Sequence, residues 1–372
     1  MLIIEVLRDI PDSRGCNSRH DLTDVLFVAL AAVLCGAAHC TEMAMFAEAR
    51  LELLRQFVPL GNGAPSHDTF SRVLRALDAK AFDAAFRRFM AAFGEQARTE
   101  AGGGQVAVDG KSLRRAYDKG RAHMPPLVVT AFDCDTFMSL SQVVAEKGGE
   151  AEAAIAALGL LSLKGATVTA DALHCHRRMT EAVRDAGGHY ALAVKGNQSK
   201  LAREAAAALD KAAANPRTPS HETEEDAHGR HEIRRAFVIP FAQTPGKNAL
   251  VGLVAVARVK SWRTVGHGEA GEATTHKVRT YALSRRMSPA ELLRVVRRHW
   301  AIENDLHWQL DVLLAEDQSR SRKNNAPANL AVLRRLALNV LRTDPDNIPL
   351  SHKRLKARWN TQDLLNLMTH MR

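Results

Sequence analysis

The sequence predicts an α/β protein: a mixed β-sheet with helices packed on it and a β-rich insertion, preceded by an all-helical N-terminal domain. Three observations carry this. Helical apolar spacing runs through the first hundred residues. After the glycines of "AGGG" (101–104) the pattern changes to short apolar β-runs, and after Ser288 a long capped helical pattern returns. The predicted division is a helical region 1–103, a core built from 104–195 and 288–345, a β-rich insertion 196–287, and a basic C-terminal tail 346–372.

Taken in order, Asp21 is placed to cap a helix through "DVLFVALAAVLCGA", and His39 or Thr41 starts another through "EMAMFAEARLELLRQF". The turn "GNGAPS" ends in a Ser66 cap, followed by helices through "HDTFSRVLRALD" and "AKAFDAAFRRFMAAF". "QVAVDG" is a short strand ending at Asp109. "PPLVVTAF" and "MSLSQVVA" are two more, joined by the polar "DCDT". A helix through "EAEAAIAALGLL" leads to "GATVTADA", a strand ending at Asp171, then a helix from His174 to Asp185 and a fifth strand, "GGHYALAVKGN". The order β-β-β-α-β-α-β implies a mixed sheet. Beyond it come the helix "KLAREAAAALDKAA", the Pro- and charge-rich link "NPRTPSHETEEDAHGRHE" and three β-like runs. "SPAELLRVVRRHWAIENDLHWQLDVLL" is expected as one long helix, with Ser288 as cap, Pro289 at the first position and Glu291 completing a capping box. One more helix, "APANLAVLRRLALNVLR", precedes the tail.

Composition narrows the function classes. The chain has 372 residues, 46% apolar and 25% charged, which excludes large-scale disorder. A net charge of +10 points to a polyanionic partner. The longest uncharged apolar run, Val25 to Ala38, is too short to span a bilayer, and no signal-peptide pattern opens the chain. No membrane partner and a cytoplasmic location are therefore expected. Five scattered cysteines without a C-x-x-C pair argue against a disulfide framework or a zinc ribbon, and His174-Cys175-His176 lacks a second half-site.

Three carboxylates stand out. Asp109 and Asp171 each end a strand, where α/β sheets hold ligands, although a lone Asp there also serves as a turn or cap residue. On a 100° projection of the long helix, Leu292, Val295, Val296, His299, Leu306, Leu310 and Leu313 form an apolar stripe. Glu303 falls within roughly 20° of Leu292 inside that stripe, and Glu316 falls on the solvent side. An inward carboxylate needs a cation, either a metal or a basic neighbour such as Arg297 or Arg298. Three such groups on a basic protein make a natural site for two Mg²⁺ ions, with Mn²⁺ as a substitute, and such ions serve in-line phosphoryl transfer.

The segments "PSHDTFSRVL" (65–74), "VAVDGKSLRRAYDKG" (106–120), "GATVTADALHCHRRMTEAVRDAGGHYALAVKGNQ" (165–198), "HGRHEIRR" (228–235) and "RRHWAIENDLHWQLDVLLAEDQSRSRKNNAPANLAVLRRLALNVLR" (297–342) resemble the DDE-type transposases of bacterial insertion sequences, in the group of the H-repeat-associated proteins. The resemblance implies a ribonuclease H-like core. It also implies Mg²⁺-dependent cleavage at element ends with strand transfer into target DNA, and a homodimer acting on double-stranded DNA. It places the catalytic, metal-holding carboxylates at Asp109 of "DGK", Asp171 of "TADA" and Glu303 of "HWAIEN". Asp171 lies 62 residues after Asp109, and Glu303 lies 132 residues after Asp171 because the insertion intervenes. The wider superfamily's Tyr, Arg and Lys around the glutamate are here Val296, His299 and Leu310, which moves phosphate contacts onto other groups.

Candidates for those contacts are Lys111, Arg114, Lys195, Asn197, His228, Arg230, Arg234, Arg297, Arg298, His299 and His307, with Lys353, Arg354, Lys356 and Arg358 in the tail. The N-terminal helices are expected to bind DNA, Arg72, Arg75, Arg87 and Arg88 decorating them, although an ordinary bundle with solvated arginines gives the same pattern. Trp262 fits either a buried structural role or stacking on a displaced base. Two rival functions share these residues: a catalytically silent transposase-derived DNA-binding protein, and a metal-dependent nuclease that never joins DNA.

Overall fold

The structure is a computed structural model that describes residues 3–15, 17–98, 104–116, 125–145, 149–227, 229–265 and 273–370. Helices α1 (Ile3–Arg8), α2 (Leu22–Leu34), α3 (Cys40–Ala49), α4 (Leu51–Leu54), α5 (His67–Ala76) and α6 (Ala79–Arg98) come first. The Asp21 carboxylate accepts from the amides of Thr23 and Asp24, and Ser66 Oγ accepts from Thr69 N, so both expected caps form. Every residue of α2 is buried, which explains its unbroken apolar run.

The sheet begins with β1 (Gln105–Ser112), β2 (Leu127–Asp133) and β3 (Ser139–Ala145), followed by α7 (Glu150–Gly159), β4 (Thr167–Ala170), α8 (Arg177–Asp185) and β5 (His189–Val194). After α9 (Ser199–Ala213) come four strands: β6 (Ser220–Ala227), β7 (Arg230–Pro240), β8 (Ala255–Val265) and β9 (Ala273–Leu283). The nine strands among the described residues join one sheet in the order β3-β2-β1-β4-β5-β9-β8-β7-β6. β1 and β4 are parallel, as are β4 and β5, while the other neighbours are antiparallel. The large mixed sheet with helices on it is the mixed α/β arrangement expected.

Two sequence expectations are corrected here. The charge-rich link holds a strand, β6, because its charges are matched across the ladder: Glu222 pairs with Arg235 at 2.7 Å in register. An edge strand with no buried face carries no apolar alternation to read. The basic tail is likewise two helices, α13 (Leu350–Trp359) and α14 (Thr361–His370). Ala357, Leu364, Leu367 and Met368 of this segment are buried in the core shared with α2 and α5. Two of its cations turn inward, Lys353 donating to Asp344 O at 2.6 Å and Arg354 donating to Leu313 O, while Lys356 pairs with Asp346 at the surface and Arg358 is exposed.

The helix expected as one piece is broken. α10 (Pro289–His299) ends near Trp300, a π-helical turn covers Ile302–His307, and α11 (Trp308–Val312) follows. α12 (Ala326–Thr343) is buried along nearly its whole length. Leu292, Leu293 and Val295 of α10 pack on β7–β9, whereas Ile302, Leu306 and Leu310 pack into the core shared by the N-terminal helices and α12.

Candidate active site

Asp109 does not end its strand, as the sequence reading had it. β1 continues to Ser112 against β2, with Asp109 opposite Thr130. The ladder that ends there is the parallel one: β1 and β4 pair last at Val108↔Ala170. Asp109 and Asp171 are therefore the next residues on adjacent parallel strands, where neighbouring strands lie about 4.8 Å apart. Side-chain alternation sets both on one face. Val106, Val108, Val168 and Ala170 belong to the core under α7 and α8, so Asp109 and Asp171 face the other way. That face receives α10 and the π turn. Gln105 fixes the approach, its amide Nε2 donating to Val295 O at 2.8 Å and to Thr169 Oγ1 at 3.2 Å.

Glu303 arrives from the π turn, but not from within an apolar stripe: it is exposed, while its neighbour Ile302 is fully buried. A single 100° spiral cannot be drawn through Trp300, where the chain turns tightly (Glu303 N to Trp300 O, 3.1 Å) before the wider π turn. The same break overturns the solvent-facing placement of Glu316. Ala315 adopts a left-handed conformation (φ 51°), and Glu316 is buried against Arg335 at 3.0 Å.

The carboxylates feel one another. Burial, then the charges of Glu303, Asp171 and Glu150, push the Asp109 carboxyl up to about 7, against the lowering effect of the Gly110 amide. Burial and Asp171 raise Glu303, opposed by Arg279, and burial and Asp171 raise Glu150. Imidazoles flank the group. His299 Nε2 lies 4.0 Å from Asp171 Oδ1, and its Nδ1 shares a 3.1 Å hydrogen bond with Thr169 Oγ1. His307 Nδ1 lies 3.7 Å from Asp109 Oδ2. Burial, with Arg335 and Lys111, lowers His307 to about 3, so it is neutral at physiological pH. Among the described residues, no three His, Cys, Asp or Glu side chains already stand at metal-ligating spacing. Their oxygen donor set and mutual repulsion are nevertheless what a hard divalent cation relieves.

The structure brings Lys195 to a crevice beside Asp171, which Arg279, Tyr281, His299 and Trp300 also line. Lys111 is not available to a phosphate: it is buried between Asp311 at 2.8 Å and Asp317 at 3.2 Å. Arg114 is exposed, with Asp317 at 3.4 Å. Asn197 holds the loop after Asp171, donating to Ala172 O at 2.6 Å. Arg230 is exposed at the start of β7. Arg234 pairs with Glu225 and Glu232, Arg297 with Glu225, and Arg298 with Asp135. Trp262 stacks on His276 across the β8–β9 ladder, with ring centroids 5.1 Å apart. His228 lies outside the described residues.

Sequence reasoning missed Glu150 and Arg279. Glu150 reads as an ordinary acidic first turn of α7. Arg279, 5.1 Å over the Trp300 ring, sits in a strand whose side-chain directions only the pairing with β5 and β8 settles.

Against known proteins, the family profile described as "Transposase DDE domain" matches residues 71–340, and one described as "DDE_Tnp_1-associated" matches residues 4–90. The candidate transposase YncI of Escherichia coli O157:H7 is 33% identical over 96% of this chain and 92% of its own length. The H repeat-associated candidate transposase YhhI of Escherichia coli (strain K12) is 31% identical over 92% of this chain and 90% of its own. A cryo-EM structure of the piggyBac transposase synaptic complex with hairpin DNA matches with a TM-score of 0.43 and 11% identity, covering 99% of this chain and 75% of that one. The chain belongs to the DDE transposase family.

Proposed function

We propose that the protein is an active transposase that cuts double-stranded DNA at the ends of its element and joins the freed ends to target DNA. The observation that carries this reading is the meeting of Asp109 and Asp171 at the end of the β1–β4 ladder, on the face where the π turn presents Glu303. In this reading the three carboxylates hold Mg²⁺. The bound ions activate the attacking oxygen, water in cutting and a 3′-hydroxyl in joining, and stabilise the leaving oxygen.

The protein's own groups supply orientation. Gln105 locks α10 against β1 and β4, and Asn197 pins the loop that carries Asp171. Both fix the carboxylates before DNA arrives, which lowers the entropic cost of reaching the reactive geometry. Neutral His299 and His307 border the two aspartates without adding fixed positive charge. Lys195 and Arg230 are exposed and placed to meet phosphates, as is Arg114 beside Asp317, and such contacts position DNA without reading its sequence. A dimer holding two element ends and a cytoplasmic setting complete the proposal. No helix among the described residues is long and apolar enough to cross a membrane.

Strand cleavage of end DNA with Mg²⁺ tests it, comparing the wild type with Asp109→Asn, Asp171→Asn and Glu303→Gln. Each variant should bind DNA and lose at least about a hundredfold in cleavage rate, about 2.7 kcal/mol of transition-state stabilisation. Wild-type binding without cleavage on a verified end would convert the reading to a silent DNA-binding protein. Cleavage without joining would leave a nuclease.

A further inference from the structure

We propose that Glu150 is a fourth cation-holding carboxylate of this site, aimed by the buried imidazole of His174. The inference rests on the metal-dependent reading above and adds a ligand to it.

Glu150 is the first residue of α7, on the sheet face opposite Glu303, and reaches the end of β1 across Gly110. A Cβ at position 110 would stand 2.8 Å from Glu150 Oε1 and 3.2 Å from Leu127 Cδ1. The glycine after Asp109 is thus what lets this carboxylate approach the aspartate backbone. Its neighbour Glu152 is already neutralised by Arg178 at 2.6 Å. Burial and then the charge of Asp171 raise the Glu150 carboxyl, and the charge of Glu150 is among those that raise Asp109.

A second, independent observation points the same way. His174 is 1% exposed, and neither of its ring nitrogens has a hydrogen-bond partner. Its Nε2 lies 3.7 Å from Glu150 Oε1. A buried imidazole with both nitrogens unpaired is costly, and such groups in folded proteins are normally satisfied. A small inward movement of Glu150 would let Nε2–H donate to Oε1 and so fix the carboxylate that would hold the cation. Histidine–carboxylate pairs of this kind orient metal ligands, and their loss weakens metal affinity about 10–100-fold.

Mn²⁺ binding to the full-length, DNA-free protein tests this, followed by electron paramagnetic resonance of free Mn²⁺ alongside thermal unfolding with and without the metal. Glu150→Gln should weaken Mn²⁺ binding at least tenfold, while the metal-free melting temperature stays or rises because one repelling charge is gone. His174→Gln should weaken binding in the same direction, and Glu152→Gln should bind as the wild type does. If Asp109→Asn loses Mn²⁺ and Glu150→Gln does not, the Glu150 assignment is overturned and the three-carboxylate reading survives. If Asp109→Asn also binds normally, the metal reading itself fails and this inference with it. A Glu150→Gln protein that melts earlier without metal and binds weakly would assign Glu150 to the fold and overturn the proposal.

Discussion

At the scale of single residues, the protein holds Asp109 in surroundings that oppose its own charge. Its carboxyl is pushed from 3.8 to about 7 in the folded state, first by burial and then by three other carboxylates. Below about pH 3 the group is protonated whether folded or unfolded, and it costs nothing. Between about pH 4 and 7 the unfolded chain releases the proton while the folded protein keeps it, so metal-free stability falls as pH rises. The cost is at most about 4 kcal/mol by pH 8. Asp109→Asn should therefore raise metal-free stability at pH 8 and leave it unchanged at pH 3, measured by urea unfolding at both values. No difference at pH 8 would mean that the carboxylates do not repel as drawn. Glu316 predicts the opposite behaviour. It shields the fully buried Arg335, so Glu316→Ala should destabilise by about 3–5 kcal/mol, visible as a large fall in melting temperature. Glu303 is exposed, so Glu303→Gln should leave melting nearly unchanged and affect cleavage alone.

At the scale of elements, two features set where the site residues fall. The first is the broken helix. α10 is anchored by Ser288, whose Oγ accepts from Glu291 N at 3.1 Å, and Ser288→Ala should cost about 1 kcal/mol. Beyond Trp300 the π turn is tied to α12 through the Arg342 side chain, which donates to Asp305 O. Each half of the helix thus obeys its own core, and Glu303 is set by the second half. The second feature is the β6–β7 hairpin, where Glu225 engages both Arg234 and Arg297. Exposed pairs of this kind contribute under about 1 kcal/mol. Glu225→Gln should hardly change stability but should free the Arg297 guanidinium, while Arg234 keeps Glu232 at 2.7 Å. Tighter non-specific DNA binding with a steeper salt dependence is the expected result, and unchanged binding in a salt titration would remove Arg297 from the DNA face.

At the scale of the whole molecule, one nine-stranded sheet carries both the site and the β-rich strands, while α2 and α12 sit at the centre of the helical core. The N-terminal helices share that core with the segment following Glu303 and with α14, so truncation near residue 100 should expose apolar surface and lower solubility. The net charge of +10 predicts DNA binding that weakens with salt at a log–log slope near −0.9 per phosphate neutralised. A flat salt titration would place recognition elsewhere than on phosphates.

Local sequence was enough for the elements whose signal is local: the caps at Asp21, Ser66 and Ser288, the apolar strands around Asp109 and Asp171, and the family to which the chain belongs. It did not reveal β6, because an edge strand neutralised by cross-strand ion pairs has no apolar alternation. Nor did it reveal the turn of Glu316 inward or of Lys111 away from solvent, since burial of a charge is decided by the partner that distant chain brings to it. Glu303 marks the boundary between the two. The residues around it made it a candidate, but its exposure depended on a helix breaking where two cores pull in different directions, and no single spiral drawn through the sequence contains that break.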